Sequence, residues 1–132
     1  MTRHRPSFPP DVADALQRES GSASVRYTVP AALARGPSVD TVLMETPYER
    51  VLAALTLDTK RNLRFVRTGS RSEGARVALV NVAPLLAAGR HWDIAMTWDP
   101  DRLRVAVRDQ HSSEGPVLEG RWPSPRRPDI TP

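Results

Sequence analysis

The sequence predicts an all-β protein: an antiparallel β-sandwich of a trimmed jelly-roll type, with a short N-terminal helix. From Ser22 onward, the apolar residues of successive segments recur at every second position, which is the period of strands with one buried face. The clearest such segment is 91–109. Its alternating apolar residues are Trp92, Ile94, Met96 and Trp98 before a turn, and Leu103, Val105 and Val107 after it.

The 132 residues are expected to form one domain with a segment at each end. We predict a flexible arm and short helix over residues 1–22, the sandwich over residues 23–122, and a disordered tail over residues 123–132, which hold four prolines. Residues 1–10 hold three prolines, which favours a flexible or loosely docked arm. The helix is predicted over residues 11–20, with Val12 and Leu16 packed inward and Gly21 as its stop.

The remaining pattern predicts strands over residues 22–29, 39–45, 51–57, 63–67, 75–82, 91–98, 102–109 and 116–122. Residues 58–62 are predicted to be the turn of a hairpin in which Leu55 faces Phe65 and Leu57 faces Leu63. Residues 68–74 contain two glycines and two serines, so an exposed loop is expected there.

The hairpin of residues 91–109 has a predictable register because Asp99-Pro100-Asp101-Arg102 has the composition of a tight turn. Placing Trp98 opposite Leu103 turns the apolar residues inward. It also sets Thr97 opposite Arg104, and Asp93 opposite Arg108, on the outer face. We expect an Asp93–Arg108 ion pair that contributes roughly 0.2 to 1 kcal/mol.

Composition narrows the functional classes. The sequence contains no cysteine, no apolar leader and no apolar run near the ~20 residues that a membrane helix needs, so we expect a soluble, cytoplasmic protein without a membrane partner. The net charge is +4, and every basic residue except Lys60 is an arginine. This charge makes nucleic acid an alternative partner, although an arginine bias can also reflect genomic base composition.

No catalytic or metal-binding motif is present in the sequence. The histidines, His4, His91 and His111, do not form a His-x-Glu-x-x-His or similar pattern, and there is no Gly-x-Ser-x-Gly segment. The acidic residues at predicted turns are Asp58, Asp99, Asp101 and Asp109. They could offer oxygen atoms to calcium, but turn formation alone accounts for them. We therefore predict a protein that is not an enzyme and that uses no cofactor.

Three segments, 51–58, 62–65 and 87–98, resemble the concanavalin A-like, laminin G-type sandwich, and the resemblance spans about residues 23–110. The order His91-Trp92 is reversed relative to that family, and the strand that ends at Asp109 lacks the family's following glycine. The resemblance implies a binding module for glycans or protein partners, sometimes with calcium at a loop rim. None of the family's calcium ligands has a matching residue here.

A second resemblance concerns residues 103–109 followed by Gly115-Pro116, which look like the strand before the nucleotide pocket of anti-sigma-type serine kinases. That family needs an upstream helix with a Glu-Leu-x-x-Asn motif. The candidate asparagine, Asn81, is flanked by β-branched residues and followed by Pro84, which oppose a helix. A degenerate ATP-binding regulatory protein is therefore a less favoured alternative than a nucleic-acid-binding protein.

We expect a non-catalytic binding or assembly module for a protein or glycan partner. Unpaired strand edges on so short a sandwich also favour a homo-oligomer. The candidate ligand-binding residues are His91, Asp93, Thr97, Arg104 and Arg108 on the outer face of the hairpin, and Trp122 at the margin of the domain. Trp122 either holds the last strand against the core or contacts a partner, whereas Trp92 and Trp98 are expected in the core.

Overall fold

A computed structural model of the chain describes residues 6–47, 53–68, 74–110 and 115–123. Its α-helix is α1 (Pro10–Ala15), and single 3-10 turns lie at Ala31–Leu33 and Ala83–Leu85. The strands are β1 (Gly21–Thr28), β2 (Thr41–Glu45), β3 (Ala53–Leu57), β4 (Asn62–Thr68), β5 (Ala75–Asn81), β6 (His91–Trp98), β7 (Leu103–Asp109) and β8 (Leu118–Trp122). Within these ranges, no helix has both the length and the apolar character to span a membrane.

The strands form two antiparallel four-stranded sheets, which confirms the predicted all-β sandwich. Sheet A has the order β2-β3-β4-β5, and sheet B has the order β1-β6-β7-β8. Both predicted hairpin registers are confirmed. Leu55 lies opposite Phe65 in sheet A, and Trp98 lies opposite Leu103 in sheet B. The turn between β6 and β7 forms as expected, because the Asp101 N–H donates to Asp99 Oδ1 at 2.7 Å.

The core lies between the sheets and is built from the inward-facing residues of the alternating pattern. Its largest fully buried side chains include Phe65, Ile94, Met96 and the two predicted core tryptophans, Trp92 and Trp98. The Trp92 Nε1–H donates to the Leu85 carbonyl at 2.9 Å, and the Trp98 Nε1–H donates to the Arg18 carbonyl at 3.0 Å. Each indole therefore buries its ring without leaving its polar atom unsatisfied.

The segment before α1 differs from the prediction of a flexible or loosely docked arm. Phe8 is 3% exposed and belongs to the core. Its N–H donates to the Glu45 carbonyl at 3.0 Å, and the Glu45 N–H donates to the Pro6 carbonyl at 3.0 Å, so this segment lies beside the edge of β2. The three prolines of the arm preclude a regular strand but permit this short bridge, and one large apolar side chain holds it in place.

The two sheets meet at their other edge, where β5 approaches β8. Gly120 of β8 points inward, and a Cβ atom at this position would overlap the backbone carbonyl of Leu79 in β5. Only glycine permits two backbones to come so close. The sandwich is thus closed by a backbone crossing on one side, and by the docked N-terminal segment together with α1 on the other.

Several element boundaries differ from the sequence prediction. The helix ends at Ala15 rather than Ser20, although Val12 and Leu16 are buried as expected. Strand β2 begins at Thr41 and its register shifts between Val42 and Met44, so Val39 is 68% exposed rather than part of the strand. Residues 51–52, most of the predicted loop 68–74 and the predicted tail beyond Pro123 lie outside the described residues.

Candidate functional site: a groove on sheet B

The outer face of sheet B carries three parallel rows of side chains that are set by the strand registers. The central row is small on three strands, where Ser24 lies opposite Ala95 and Ala95 lies opposite Ala106, and it ends on β8 at Glu119. The rows on either side carry charged residues. Because side chains two positions apart on a strand are separated by roughly 7 Å, the flanking rows stand roughly 14 Å apart, with a low floor between them.

A groove of about 790 Å³ follows this floor across the strands. We call this space the groove. It begins at Pro9 and Asp11 beside α1 and reaches Val117 before β8. From α1 the groove crosses β1, β6 and β7 and reaches the start of β8, which makes four spacings between neighbouring elements. Its length is therefore roughly 20 Å, which is enough for about six residues of extended polypeptide.

The first wall of the groove is a loose trio of one carboxylate between two guanidinium groups. Asp93 lies opposite Arg26 on one side and Arg108 on the other. The Arg26 Nε–Asp93 Oδ1 distance is 3.7 Å, and the Arg108 Nη2–Asp93 Oδ2 distance is 3.5 Å. The predicted Asp93–Arg108 pair is therefore confirmed. Both contacts are at or beyond the limit of a hydrogen bond, so they hold the arginines weakly.

The opposite wall carries Arg104 and Arg121, which form a tight trio with Glu119 at the β8 end of the central row. Arg104 contacts Glu119 through two nitrogens, with Nε–Oε1 at 2.8 Å and Nη2–Oε2 at 3.2 Å, and the Arg121 Nε also donates to Glu119 Oε1. Hydrogen bonds from Arg104, which has the larger effect, and from Arg121 lower the pKa of Glu119 from 4.5 to about 2. The forked pairing fixes the Arg104 head, so this wall is the more rigid of the two.

In both trios the arginine side chains are more exposed than the acidic side chain they share. The Arg26 and Arg108 side chains are 78% and 54% exposed, against 27% for Asp93. Arg104 and Arg121 are 40% and 61% exposed, against 29% for Glu119. A molecule that approaches this face therefore meets positive charge first.

Three of the six predicted site residues line the groove, and the other three lie outside it. Asp93, Arg104 and Arg108 line it. Thr97 lies on the same outer face opposite Arg104, beyond the groove, and His91 lies at the far end of β6, where a 2.8 Å hydrogen bond joins its Nδ1 to Thr28 Oγ1.

Trp122 lies away from the groove. It sits opposite Leu103 on the inward side of β8, where its ring packs on Arg76, with the guanidinium carbon 4.9 Å from the ring centroid. It also contacts the core cluster, so of its two expected roles this position favours holding the last strand in place.

Of the predicted turn aspartates, Asp58 and Asp99 form hydrogen bonds within their own turns, whereas Asp109 ends β7 and its Oδ2 lies 3.5 Å from Arg90 Nε. Asp58 Oδ1 accepts the N–H groups of Lys60 and Asn62 at 2.9 Å each, and Asp99 caps its own turn. Burial alone would raise the pKa of Asp58, but these hydrogen bonds and that from the Asn62 side chain outweigh it and lower the pKa. Among the described residues, no group of three or more His, Cys, Asp or Glu side chains is placed to hold a metal ion.

Asn81 has a structural setting unlike that of a nucleotide-binding helix. It ends strand β5, and its side-chain amide donates to the Lys60 carbonyl at 3.1 Å and to Asn62 Oδ1 at 3.2 Å. The helix that the ATP-binding alternative requires at this position is therefore replaced by a strand end, which removes that alternative's main support.

Sequence reasoning missed Arg26, Ser24, Ala95 and Ala106, which line the groove, and Glu119, which binds the lining residue Arg104. The outward positions of Ala95 and Ala106 follow from the predicted hairpin register, so their small size opposite one another was a usable signal. The others come from strands that pair with this hairpin over long sequence separations, and no local pattern specifies which strands those are.

No protein-family model, curated protein or solved structure matches this chain. The resemblance to the laminin G-type sandwich therefore stays a prediction.

Proposed function

We propose that the protein is a non-catalytic binding or assembly module that contacts a partner protein through the groove. The supporting observation is the groove: an open space of about 790 Å³ on the outer face of sheet B, with a floor of small side chains between two charged walls. Concave surfaces with a few well-placed polar groups are where proteins usually bind ligands.

The groove suits a protein partner better than a glycan. Among the described residues that line it, none is aromatic. Sugar-binding sites commonly stack sugar rings on exposed aromatic side chains, but Trp92 and Trp98 are 0% and 2% exposed in the core. Charged walls with a small, partly apolar floor instead resemble the polar rim and tight centre of a protein interface.

The chemistry of the lining also favours binding over catalysis. Ser24 is the one hydroxyl among the described lining residues, and none of them is a histidine or cysteine. A serine nucleophile needs a neighbouring base to activate it. Ser24 lies opposite Ala95, and the carboxylate at the diagonal position, Asp93, is paired with Arg26 and Arg108. The groove can therefore offer hydrogen bonds and ion pairs, which hold a ligand without transforming it.

A nucleic-acid partner is the second candidate, and the net charge of +4 favours it. A phosphate backbone, however, carries continuous negative charge and would have to lie over Asp93 and Glu119 as well as over the arginines. A protein segment can place single carboxylates over single guanidinium groups. The pattern of mixed charges on this face therefore supports the protein partner.

The experiment exploits the absence of cysteine from the sequence. A photocrosslinker is attached to Ser24→Cys on the groove floor, or to Thr56→Cys on the outer face of sheet A, and each protein is exposed to extract from cells that express the chain. A partner captured only from the groove position is purified and titrated against the wild type, Ala95→Phe and Thr56→Phe. The two phenylalanine variants are matched, because β6 and β3 are each second in their sheets.

We expect Ala95→Phe to weaken binding of the purified partner at least tenfold by filling the groove, and Thr56→Phe to leave it within twofold. Equal affinities for Ala95→Phe and the wild type would overturn the proposal. Capture of oligonucleotides or glycans instead of protein would overturn it in favour of another partner class, and binding of nucleic acid would show itself by a steep loss of affinity with salt.

A further inference from the structure

We infer that the groove selects an extended, acidic polypeptide segment whose two acidic side chains pair with Arg26 and Arg108. This inference rests on the proposed function and adds the chemistry of the partner. It follows from the loose trio, in which two well-exposed guanidinium groups share one carboxylate at 3.5 and 3.7 Å.

The weak contacts leave both guanidinium groups able to accept a new carboxylate. An arginine has five N–H donors in a fixed fork, and a carboxylate that binds two of them forms a shorter and stronger contact than those observed. Arg26 meets Asp93 through Nε, and Arg108 meets it through Nη2. An incoming carboxylate can therefore approach each guanidinium from the solvent side while Asp93, the less exposed group, stays beneath.

The tight trio has a different part in this recognition. Arg104 is already engaged through two nitrogens with Glu119, so it offers a positively charged but fixed wall. The segment is therefore held on one side by exchangeable arginines and bounded on the other by a rigid wall. The small side chains of Ala95 and Ala106 allow its backbone to lie close to the sheet.

The strand spacing sets the pattern that the segment must carry. Arg26 and Arg108 lie two strands apart, on β1 and β7, which places their backbones roughly 10 Å apart. In an extended chain with three residues per turn and about 3.1 Å per residue, side chains three positions apart point the same way and are separated by about 9 Å. We therefore expect two acidic residues three positions apart.

The test is an NMR titration of the full-length protein with defined eight-residue peptides. One peptide carries two glutamates three positions apart, a second carries glutamines and a third carries lysines at those positions, and a fourth probe is an eight-nucleotide oligothymidylate. We expect the glutamate peptide to shift the amide signals of Ser24, Ala95 and Ala106 saturably, with an affinity at least tenfold higher than that of the glutamine peptide, and the lysine peptide to leave them unchanged.

Matched variants identify the arginines. Arg108→Gln should weaken binding of the glutamate peptide at least fivefold. Arg102→Gln removes the same charge from the neighbouring turn and should change the affinity less than twofold, because this contact depends on position more than on net charge. Equal losses from both variants, equal binding of the glutamine peptide, or no binding of the glutamate peptide at 5 mM would overturn the inference.

Stronger binding of oligothymidylate than of the glutamate peptide would overturn it in favour of a nucleic acid. These outcomes differ from failure of the proposed function. If a captured partner protein loses affinity with Ala95→Phe but the acidic peptide does not bind, the groove is a protein-binding site that does not select acidic residues. If Ala95→Phe leaves partner binding unchanged, the groove itself is not the site.

Discussion

Replacing Glu119 by glutamine tests how strongly the tight trio holds sheet B together. The change removes one negative charge at nearly constant shape and leaves Arg104 and Arg121 facing an uncharged amide. Because hydrogen bonds from these arginines lower the pKa of Glu119 from 4.5 to about 2, the charged carboxylate stabilises the folded protein.

The loss of stability in Glu119→Gln depends on how strongly solvent screens the ion pairs of the tight trio. A shift from 4.5 to about 2 in a buried group would correspond to about 3 kcal/mol, because each pKa unit is about 1.4 kcal/mol. Glu119 and its partners lie at the surface, with Arg121 61% exposed, and measured surface ion pairs contribute about 0 to 1 kcal/mol. We therefore expect Glu119→Gln to lower the free energy of unfolding by about 1 kcal/mol at pH 7.

The direction of the pKa shift determines the pH range in which Glu119 stabilises the folded protein. The folded protein holds Glu119 ionised to lower pH than the unfolded chain does, so the unfolded chain binds more protons between pH 4.5 and 2. The stabilisation is complete above about pH 4.5 and falls away as the pH approaches 2. The wild type and Glu119→Gln should therefore differ at pH 7 and converge near pH 2.

Urea unfolding followed by tryptophan fluorescence measures this difference at pH 7, 5, 4, 3 and 2. Asp93→Asn is the matched control, since its two contacts of 3.5 and 3.7 Å should contribute less than about 0.5 kcal/mol. A loss of 3 kcal/mol for Glu119→Gln at pH 7 would refute the argument from solvent screening. A difference that stayed constant down to pH 2 would refute the assignment to the carboxylate charge.

Three further substitutions test the fold by urea unfolding. Gly120→Ala should destabilise the protein by about 3 kcal/mol, because the new Cβ overlaps the Leu79 carbonyl and the two backbones must separate; a change below 0.5 kcal/mol would contradict the crossing. Phe8→Ala should cost about 3 kcal/mol, whereas Val39→Ala, at 68% exposure, should stay within about 0.5 kcal/mol; similar small losses from both would mean that the N-terminal segment is not docked. Arg61→Gly should stabilise the protein by about 0.5 kcal/mol, because Arg61 has a φ of 65° that glycine adopts without strain, and a loss of stability would show that the Arg61 side chain outweighs that strain.

Local patterns sufficed to predict both hairpins. Between Asp99 and Arg102 the turn composition and the alternation of apolar residues agree on one register, and a shift by one residue would turn Trp98 toward solvent. The same reasoning placed Asp93 opposite Arg108. The burial of Phe8 could not be predicted in this way. It depends on the edge of β2, and no sequence pattern near residue 8 indicates that contact.

The groove was only partly predictable because it is assembled from distant segments. Asp93, Arg104 and Arg108 belong to one hairpin and were identified together. Arg26 belongs to β1 and Glu119 belongs to β8, and their positions beside the hairpin follow from strand pairings that the tertiary structure selects. Sequence periodicity specifies which face of a strand is buried, but it does not specify which neighbour the strand will have.

The pairing of β1 with β6 has a consequence for folding order. Thr28 and His91 are partners in this pairing and are 63 residues apart in sequence, whereas β3 pairs with β4, and β6 with β7, through short turns. Contacts between distant residues form late because a long loop must close first. At a synthesis rate of roughly 5 to 20 residues per second, the 63 residues from Thr28 to His91 take several seconds to make. During that time β1 has no partner strand. Strand β1 can join its sheet only after β6 has been synthesised, and the wall of the groove that carries Arg26 forms with that pairing.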